Sequence, residues 1–280
     1  MRSIKPPAAP AASAQRVWAS DGAVWPRRGT NGEIEPMLTP EESRRYARHL
    51  VLKGMGGAGQ QRLKAARALV IGAGGLGSPV IAYLAAAGVG TLGVVDDDRV
   101  GLSNLQRQVI HRVDAIGTLK TESSAAFVAA INPHVATVLH SLRLDSAHAA
   151  AIFSSYDVIV DGCDNFETRL AVAEAAAAAG LPLVSGAVSM FDGQVTVLAP
   201  FLKRPDGQPN PGFRDLYPAT PDAADLPSCE AVGVLGAVTG VVGTLMAMEA
   251  IKLIAGIGEP LIGRLLLYDG RAARFTELGY

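Results

Sequence analysis

The sequence predicts an α/β fold: a Rossmann-like, doubly wound and mostly parallel sheet with helices on both faces, extended by C-terminal strands. Three observations predict it. Short continuous apolar runs alternate with helical stretches, the pattern of strands covered on both faces. One such run leads into Gly72-Ala73-Gly74-Gly75-Leu76-Gly77, a GxGxxG lying between a strand and a helix. Of the 280 residues, 49% are hydrophobic and only 18% charged, which supplies a large core.

Residues 1–36 are rich in Ala, Pro, Ser and Gly without a sustained period, and are expected to form a flexible leader before a domain over 37–280. No secretory signal is expected, because prolines stand where its apolar region would lie. Structure should begin with a helix capped by Thr39, with Pro40 first and Glu42 as the reciprocal capping partner. That helix carries Arg44, Arg45 and Arg48 towards Leu50. A glycine-rich turn from Gly54 to Gly59 and a short helix over 60–66 follow.

Strands are then expected at 68–71, 92–95, 135–140, 158–160, 183–186 and 194–198, with helices at 76–87, 120–131, 147–153 and 167–179. Residues 200–228 break this rhythm with repeated prolines and make a long irregular connection of the kind that is usually functional. A helix over 233–256 and strands at 264–268 and 274–277 complete the chain. The run 232–248 is apolar, barely long enough to cross a bilayer, and holds Gly236 and Gly240 in GxxxG spacing. Its neighbours Glu249 and Lys252, and the full domain before it, favour a helix buried in the protein.

With 25 Lys+Arg against 26 Asp+Glu, the charge balance gives no electrostatic case for nucleic acid or an anionic membrane as partner. Cys163 and Cys229 make neither a disulfide framework nor a four-cysteine zinc site, so a cytoplasmic protein is expected. His49, His111, His134, His140 and His148 show no metal-ligand spacing and are read as surface or satisfied core residues.

The glycine loop is where chemistry is expected. Gly72 permits the tight turn, Gly74 the approach of a phosphate, and Gly77 close helix–strand packing. Asp96, ending the next strand, is placed for ribose hydroxyls. A dinucleotide-dependent oxidoreductase fits these features alone. It leaves without a role Leu102-Ser103-Asn104-Leu105-Gln106-Arg107-Gln108 and Lys120, cations suited to charge on a leaving pyrophosphate. It also leaves Asp161-Gly162-Cys163-Asp164-Asn165, with Arg169 one turn into the following helix. Asp164 at the end of a parallel strand could hold Mg²⁺ or merely cap the next helix.

From Leu38 onward the chain resembles the MoeB/ThiF/HesA family, bacterial relatives of ubiquitin-activating enzymes. The resemblance rests on Tyr46-Ala47-Arg48, GAGGLGS at 72–78, VVDDD at 94–98, LSNLQRQ at 102–108, INP at 131–133, DGCDN at 161–165, PSCEAVGVLG at 227–236 and AMEAIKLIAG at 247–256. It implies an adenylyltransferase that joins AMP to the C-terminal glycine carboxylate of a small ubiquitin-like sulfur-carrier protein ending in Gly-Gly. Such carriers serve molybdenum cofactor or thiamine biosynthesis.

The resemblance further implies that Gly72, Gly74, Gly75 and Gly77 hold ATP and Asp96 its ribose. Asn104, Arg107 and Lys120 would handle phosphates, Asp164 would bind Mg²⁺, and Asp98, Gln108 and Asn165 would line the same pocket. Arg48 would reach the nucleotide of the other subunit of a homodimer. The loop at about 200–230 would cross over the carrier tail, and Cys229 would be placed for a covalent link to the carrier. Many members hold a structural zinc with two Cys-x-x-Cys pairs. Here Gly212 and Asp215 occupy the first pair's positions and no cysteine follows Phe275, so no zinc is expected. No rhodanese domain is seen, so a separate persulfide donor is expected. Adenylation of another carboxylate, and a non-catalytic scaffold, are the remaining alternatives.

Overall fold

The computed structural model describes residues 37–219 and 232–280; the expected leader and Cys229 lie outside the described residues. The first helix, α1 (Pro40–Arg45), opens on the expected capping box. Glu42 N–H donates to Thr39 Oγ1 at 3.1 Å, and Thr39 N–H donates to Glu42 Oε2 at 2.7 Å. The helix does not run unbroken to Leu50. It breaks at Tyr46 before α2 (Ala47–Leu50), and the Tyr46 ring is buried against Gly88 with its hydroxyl accepting from Asn132 Nδ2 at 2.8 Å. Helix α3 (Gly56–Ala65) also starts earlier than expected, absorbing glycines read as a turn. A Cβ at Gly59 would meet Met55 Sδ at 2.6 Å, so packing rather than turn geometry accounts for that glycine.

Among the described residues, eight strands form one sheet. They are β1 (Arg67–Ile71), β2 (Thr91–Val95), β3 (Ala136–His140), β4 (Val158–Asp161), β5 (Leu183–Ser189), β6 (Asp192–Leu198), β7 (Arg264–Asp269) and β8 (Arg274–Gly279). Their order is β3-β2-β1-β4-β5-β6-β7-β8, with the first five parallel and the last three antiparallel additions. The other helices are α4 (Gly77–Ala87), α5 (Lys120–Ile131), α6 (Ser146–Phe153), α7 (Phe166–Ala178), α8 (Phe213–Leu216) and α9 (Gly236–Ala255).

Strand alternation divides the core into two layers. Ala68, Val70, Val158 and Val160 point into one core with residues of α3, α4 and α9. Leu69, Ile71 and Ile159 point into the other, with residues of α6 and α7. The parallel pattern ends at β5, which turns directly into β6 through Met190 and Phe191. The sequence carries an Asp-Gly here, Asp192-Gly193, but it opens β6 and does not occupy the turn. Met190 instead takes the left-handed region, with φ 50°.

Helix α9 is apolar and 20 residues long, and more than half of it is buried, against α3, α4 and strands β4 to β6. Its close approaches use Gly236, beside the Gln106 carbonyl, and Gly243, beside Pro79 and the Leu76 carbonyl. Gly240 faces open space, so the GxxxG pair is not one packing unit.

Candidate active site

Strand order creates the site. The chain leaves β1 for β2 and β3 on one side, then returns to lay β4 on the other side of β1. Ile71 is therefore level with both Val95 and Asp161, and three loops emerge together at the carboxyl ends of β1, β2 and β4. In open α/β sheets such a reversal opens a crevice that takes ligands.

The glycine loop forms one wall. Gly72 has φ 84°, and a Cβ there would lie 3.1 Å from the Gly162 carbonyl oxygen in the β4 loop. A Cβ on Gly77 would overlap the Gly72 carbonyl oxygen, so the expected close packing of helix on turn is present. A Cβ on Gly75 would meet Thr239 Cγ2 at 3.1 Å and Arg107 Cδ at 3.5 Å, and one on Gly74 would meet Gln108 Nε2 at 3.7 Å. Arg107 and Gln108 thus lie over the loop. Gln108 is buried, and its Oε1 has no protein partner. A buried oxygen of this kind is suited to a ligand donor or a water.

Asp96 is tied to the same loop. Its Oδ2 accepts the Ala73 N–H at 2.7 Å, and its Oδ1 accepts the Asp98 N–H at 2.9 Å. Burial raises its pKa, opposed by the Lys120 charge and these hydrogen bonds. Lys120 opens α5 and donates from Nζ to Asp98 Oδ2 at 2.7 Å. The lysine side chain is 7% exposed and the aspartate 67%, so Lys120 is fixed by the fold and Asp98 lies outermost. Arg107 is half-buried and donates to the Ser103 carbonyl at 3.2 Å. Asn104 is half-buried, and its Oδ1 accepts the Gly101 N–H at 2.9 Å, shaping the turn that carries Arg107.

The β4 loop forms the facing wall. Asp164 is exposed there, and the helix-capping alternative for it does not hold: Asn165 caps α7, accepting the Thr168 N–H at 2.8 Å. Beneath them, Asp161 is fully buried and accepts the Cys163 N–H at 2.9 Å. Burial, with Asp161 alongside, pushes the Cys163 thiol well above its ordinary range, which makes it a poor nucleophile. Oxygen donors suited to Mg²⁺ are present in Asp164 and in the carboxylates of Asp96, Asp97 and Asp98, which lie within 4.8 Å of one another.

Arg48 is not part of this assembly within its own chain. It is exposed on α2, two residues after Tyr46, which packs where α4 ends at Gly88. The glycine loop is at the other end of α4, about 16 Å away for an 11-residue helix.

One residue dismissed from the sequence belongs here. His111 is buried, with Nε2 2.9 Å from the Ala73 carbonyl oxygen and Nδ1 2.9 Å from Ser123 Oγ. Metal-ligand spacing could not have found it. Its position three residues beyond Gln108, inside the same cation-bearing segment, was the available signal.

The ThiF family profile matches residues 46–279. The chain is 52% identical over 238 residues to a probable adenylyltransferase/sulfurtransferase MoeZ of Mycobacterium tuberculosis, covering 84% of this chain and 60% of that protein's length. It is 47% identical to a sulfur carrier protein adenylyltransferase of Thermus thermophilus, covering 86% of this chain and 88% of the relative. With a SAMP-activating enzyme E1 of Haloferax volcanii the identity is 46%, covering 84% of each. Among solved structures, PaaA matches with a TM-score of 0.73 at 21% identity, covering 90% of this chain and 77% of that one. Escherichia coli MccB with ATP matches with a TM-score of 0.72 at 21% identity, covering 84% and 71%. These two likenesses concern the fold.

Proposed function

The chain belongs to the ThiF family, and on that premise we propose that it adenylates the C-terminal glycine carboxylate of a small ubiquitin-like sulfur-carrier protein, releasing pyrophosphate. The observation that carries the reading is the crevice beside β1, where the glycine loop meets Asp96, Arg107 and the Lys120–Asp98 pair, and the β4 loop bearing Asp164 packs against the glycine loop at Gly162. The sulfur-carrier and SAMP-activating relatives, matched over most of their length, support the choice of acceptor.

In this reading the carrier carboxylate attacks the α-phosphorus, the bond to the β-phosphate oxygen breaks, and an acyl-adenylate forms. No side-chain nucleophile is required. Asp96, already oriented by two backbone N–H groups, accepts from the ribose hydroxyls. The glycine loop and the amino end of α4 receive phosphate oxygens. Lys120 exchanges its contact with Asp98 for the charge growing on the leaving pyrophosphate, and Arg107 supplies a second cation above the loop. Asp164 would hold Mg²⁺, which when bound would offset triphosphate charge.

Arg48 fits this chemistry only from a second subunit, so the reading includes a homodimer with composite sites. It also includes no structural zinc. Where the resemblance expects the first cysteine pair, the Gly212 N–H donates to Asp215 Oδ2 at 2.7 Å, and this turn is anchored by Phe213 and Tyr217 packed on Phe166. Metal analysis finding one tightly held zinc per chain would contradict that part.

The test is ATP–pyrophosphate exchange with Mg²⁺ and candidate Gly-Gly carriers, beside an Asp164→Ala control. Carrier-dependent exchange that the control loses supports the reading. Exchange dependent on a different carboxylate would replace the acceptor but keep the chemistry.

A further inference from the structure

We propose that His111 is a positioning residue that sets the direction of the Gly74 N–H in the glycine loop, and so the loop's capacity to take a phosphate. The inference rests on the reading that this loop holds ATP.

The argument starts from peptide geometry. A trans peptide points the carbonyl of one residue and the N–H of the next in opposite directions. The peptide between Gly72 and Ala73 is fixed by its N–H, which donates to Asp96 Oδ2 at 2.7 Å. The peptide between Ala73 and Gly74 is fixed by its carbonyl, which lies 2.9 Å from His111 Nε2. A carbonyl only accepts, so Nε2 carries the proton. In the neutral ring Nδ1 then accepts from the Ser123 hydroxyl, 2.9 Å away. Burial and the nearby Lys120 charge lower the ring's pKa, which favours the neutral ring, and the Ala73 carbonyl selects the tautomer.

With the Ala73 carbonyl drawn towards buried His111, the Gly74 N–H must point the other way, on the side where Gly74 is part-exposed. Gly74 has no side chain to hold this orientation, and a glycine-flanked peptide flips readily. Asp96 and His111 hold the two successive peptide planes on either side of Ala73, the second of which carries the Gly74 N–H. Because Ser123 lies in the first turn of α5, whose first residue is Lys120, the same imidazole ties the loop to the helix that delivers the lysine.

Gln and Asn separate the two contacts. A glutamine amide nitrogen sits close to where imidazole Nε2 sits, and an asparagine nitrogen closer to Nδ1. ATP affinity measured by calorimetry should fall about tenfold in His111→Asn and stay within about threefold of wild type in His111→Gln. Ser123→Ala, which leaves the Ala73 contact, should resemble His111→Gln. Melting temperatures need not follow this order, because both His111 variants disturb the same buried site. Equal ATP affinity in wild type, Asn and Gln variants would overturn the inference alone, as would equal weakening by Asn and Gln. Wild-type protein that binds no ATP would overturn the functional reading and this inference with it. Should His111→Asn not fold, Ser123→Ala losing as much as tenfold in ATP affinity would contradict it independently.

Discussion

Asp161 Oδ2 lies 3.6 Å from Arg169 Nε, and the carboxylate is wholly shielded from solvent at the end of β4. The Arg169 guanidinium also donates to the Gly186 carbonyl on β5, so one side chain ties the β4 loop to the neighbouring strand. This pair underlies the loop that presents Asp164. Removing Arg169 alone should leave a buried, uncompensated carboxylate. Arg169→Leu is expected to lose about 3 kcal/mol of stability, and Arg169→Leu with Asp161→Asn distinctly less. Denaturant melts of the single and double variants check this; equal losses would mean that the two charges are not coupled.

Glycines on α9 separate packing from helix propensity. Gly240 faces open space, whereas a Cβ on Gly243 would lie 2.6 Å from the Leu76 carbonyl oxygen. Gly240→Ala should therefore stabilise the protein by up to about 1 kcal/mol, the helix-propensity gain. Gly243→Ala should destabilise it, by about 1–3 kcal/mol, through forced separation from α4. Thermal melts of the two variants moving in the same direction would contradict the described contact between α9 and α4.

Acid should weaken the fold partly through His111. Its folded pKa is lowered below its ordinary 6.5, first by burial and then by Lys120. The stability it contributes is therefore complete above about 6.5 and is lost as pH falls towards the folded value. His140, also lowered by burial, adds in the same sense. Asp96 acts oppositely: its raised pKa makes its contribution largest when it is protonated and lost as pH rises through that value. Between pH 7 and 5, stability should decline in the wild type and decline less in His111→Gln. An identical slope in both would show that His111 does not titrate in this window.

Arg48 and Lys120 should complement each other between subunits. Each of Arg48→Ala and Lys120→Ala should be nearly inactive alone. Mixed and allowed to exchange subunits, half the dimers combine both variants and one of their two sites is intact, which restores about a quarter of wild-type activity. No recovery, despite demonstrated subunit exchange, would place Arg48 outside a shared site.

Much of the fold was legible because its parallel strands are short apolar runs bounded by helices, a pattern that does not depend on distant contacts. The GxGxxG context fixed which turn faces the crevice, and the capping box at Thr39 fixed the first helix. Tertiary contacts decided what the sequence could not. Tyr46 breaks a helix because its ring finds Gly88 and Asn132, both remote in sequence. The β5–β6 hairpin turns on Met190 and Phe191, residues without turn chemistry of their own. His111 resembled any lone histidine until the Ala73 carbonyl was placed beside it. For Arg48 the resemblance already implied a role at the other subunit's nucleotide, and the length of α4 gives the physical reason that its own glycine loop is out of reach.

The most direct test of the central claim is the intact mass of a Gly-Gly carrier after incubation with this protein, ATP and Mg²⁺, with pyrophosphate removed enzymatically. Adenylation predicts a carrier bearing one added AMP at its C-terminal carboxylate, absent with Lys120→Ala. A carrier that stays unmodified across the candidate Gly-Gly proteins, while the folded protein binds ATP, would contradict the account.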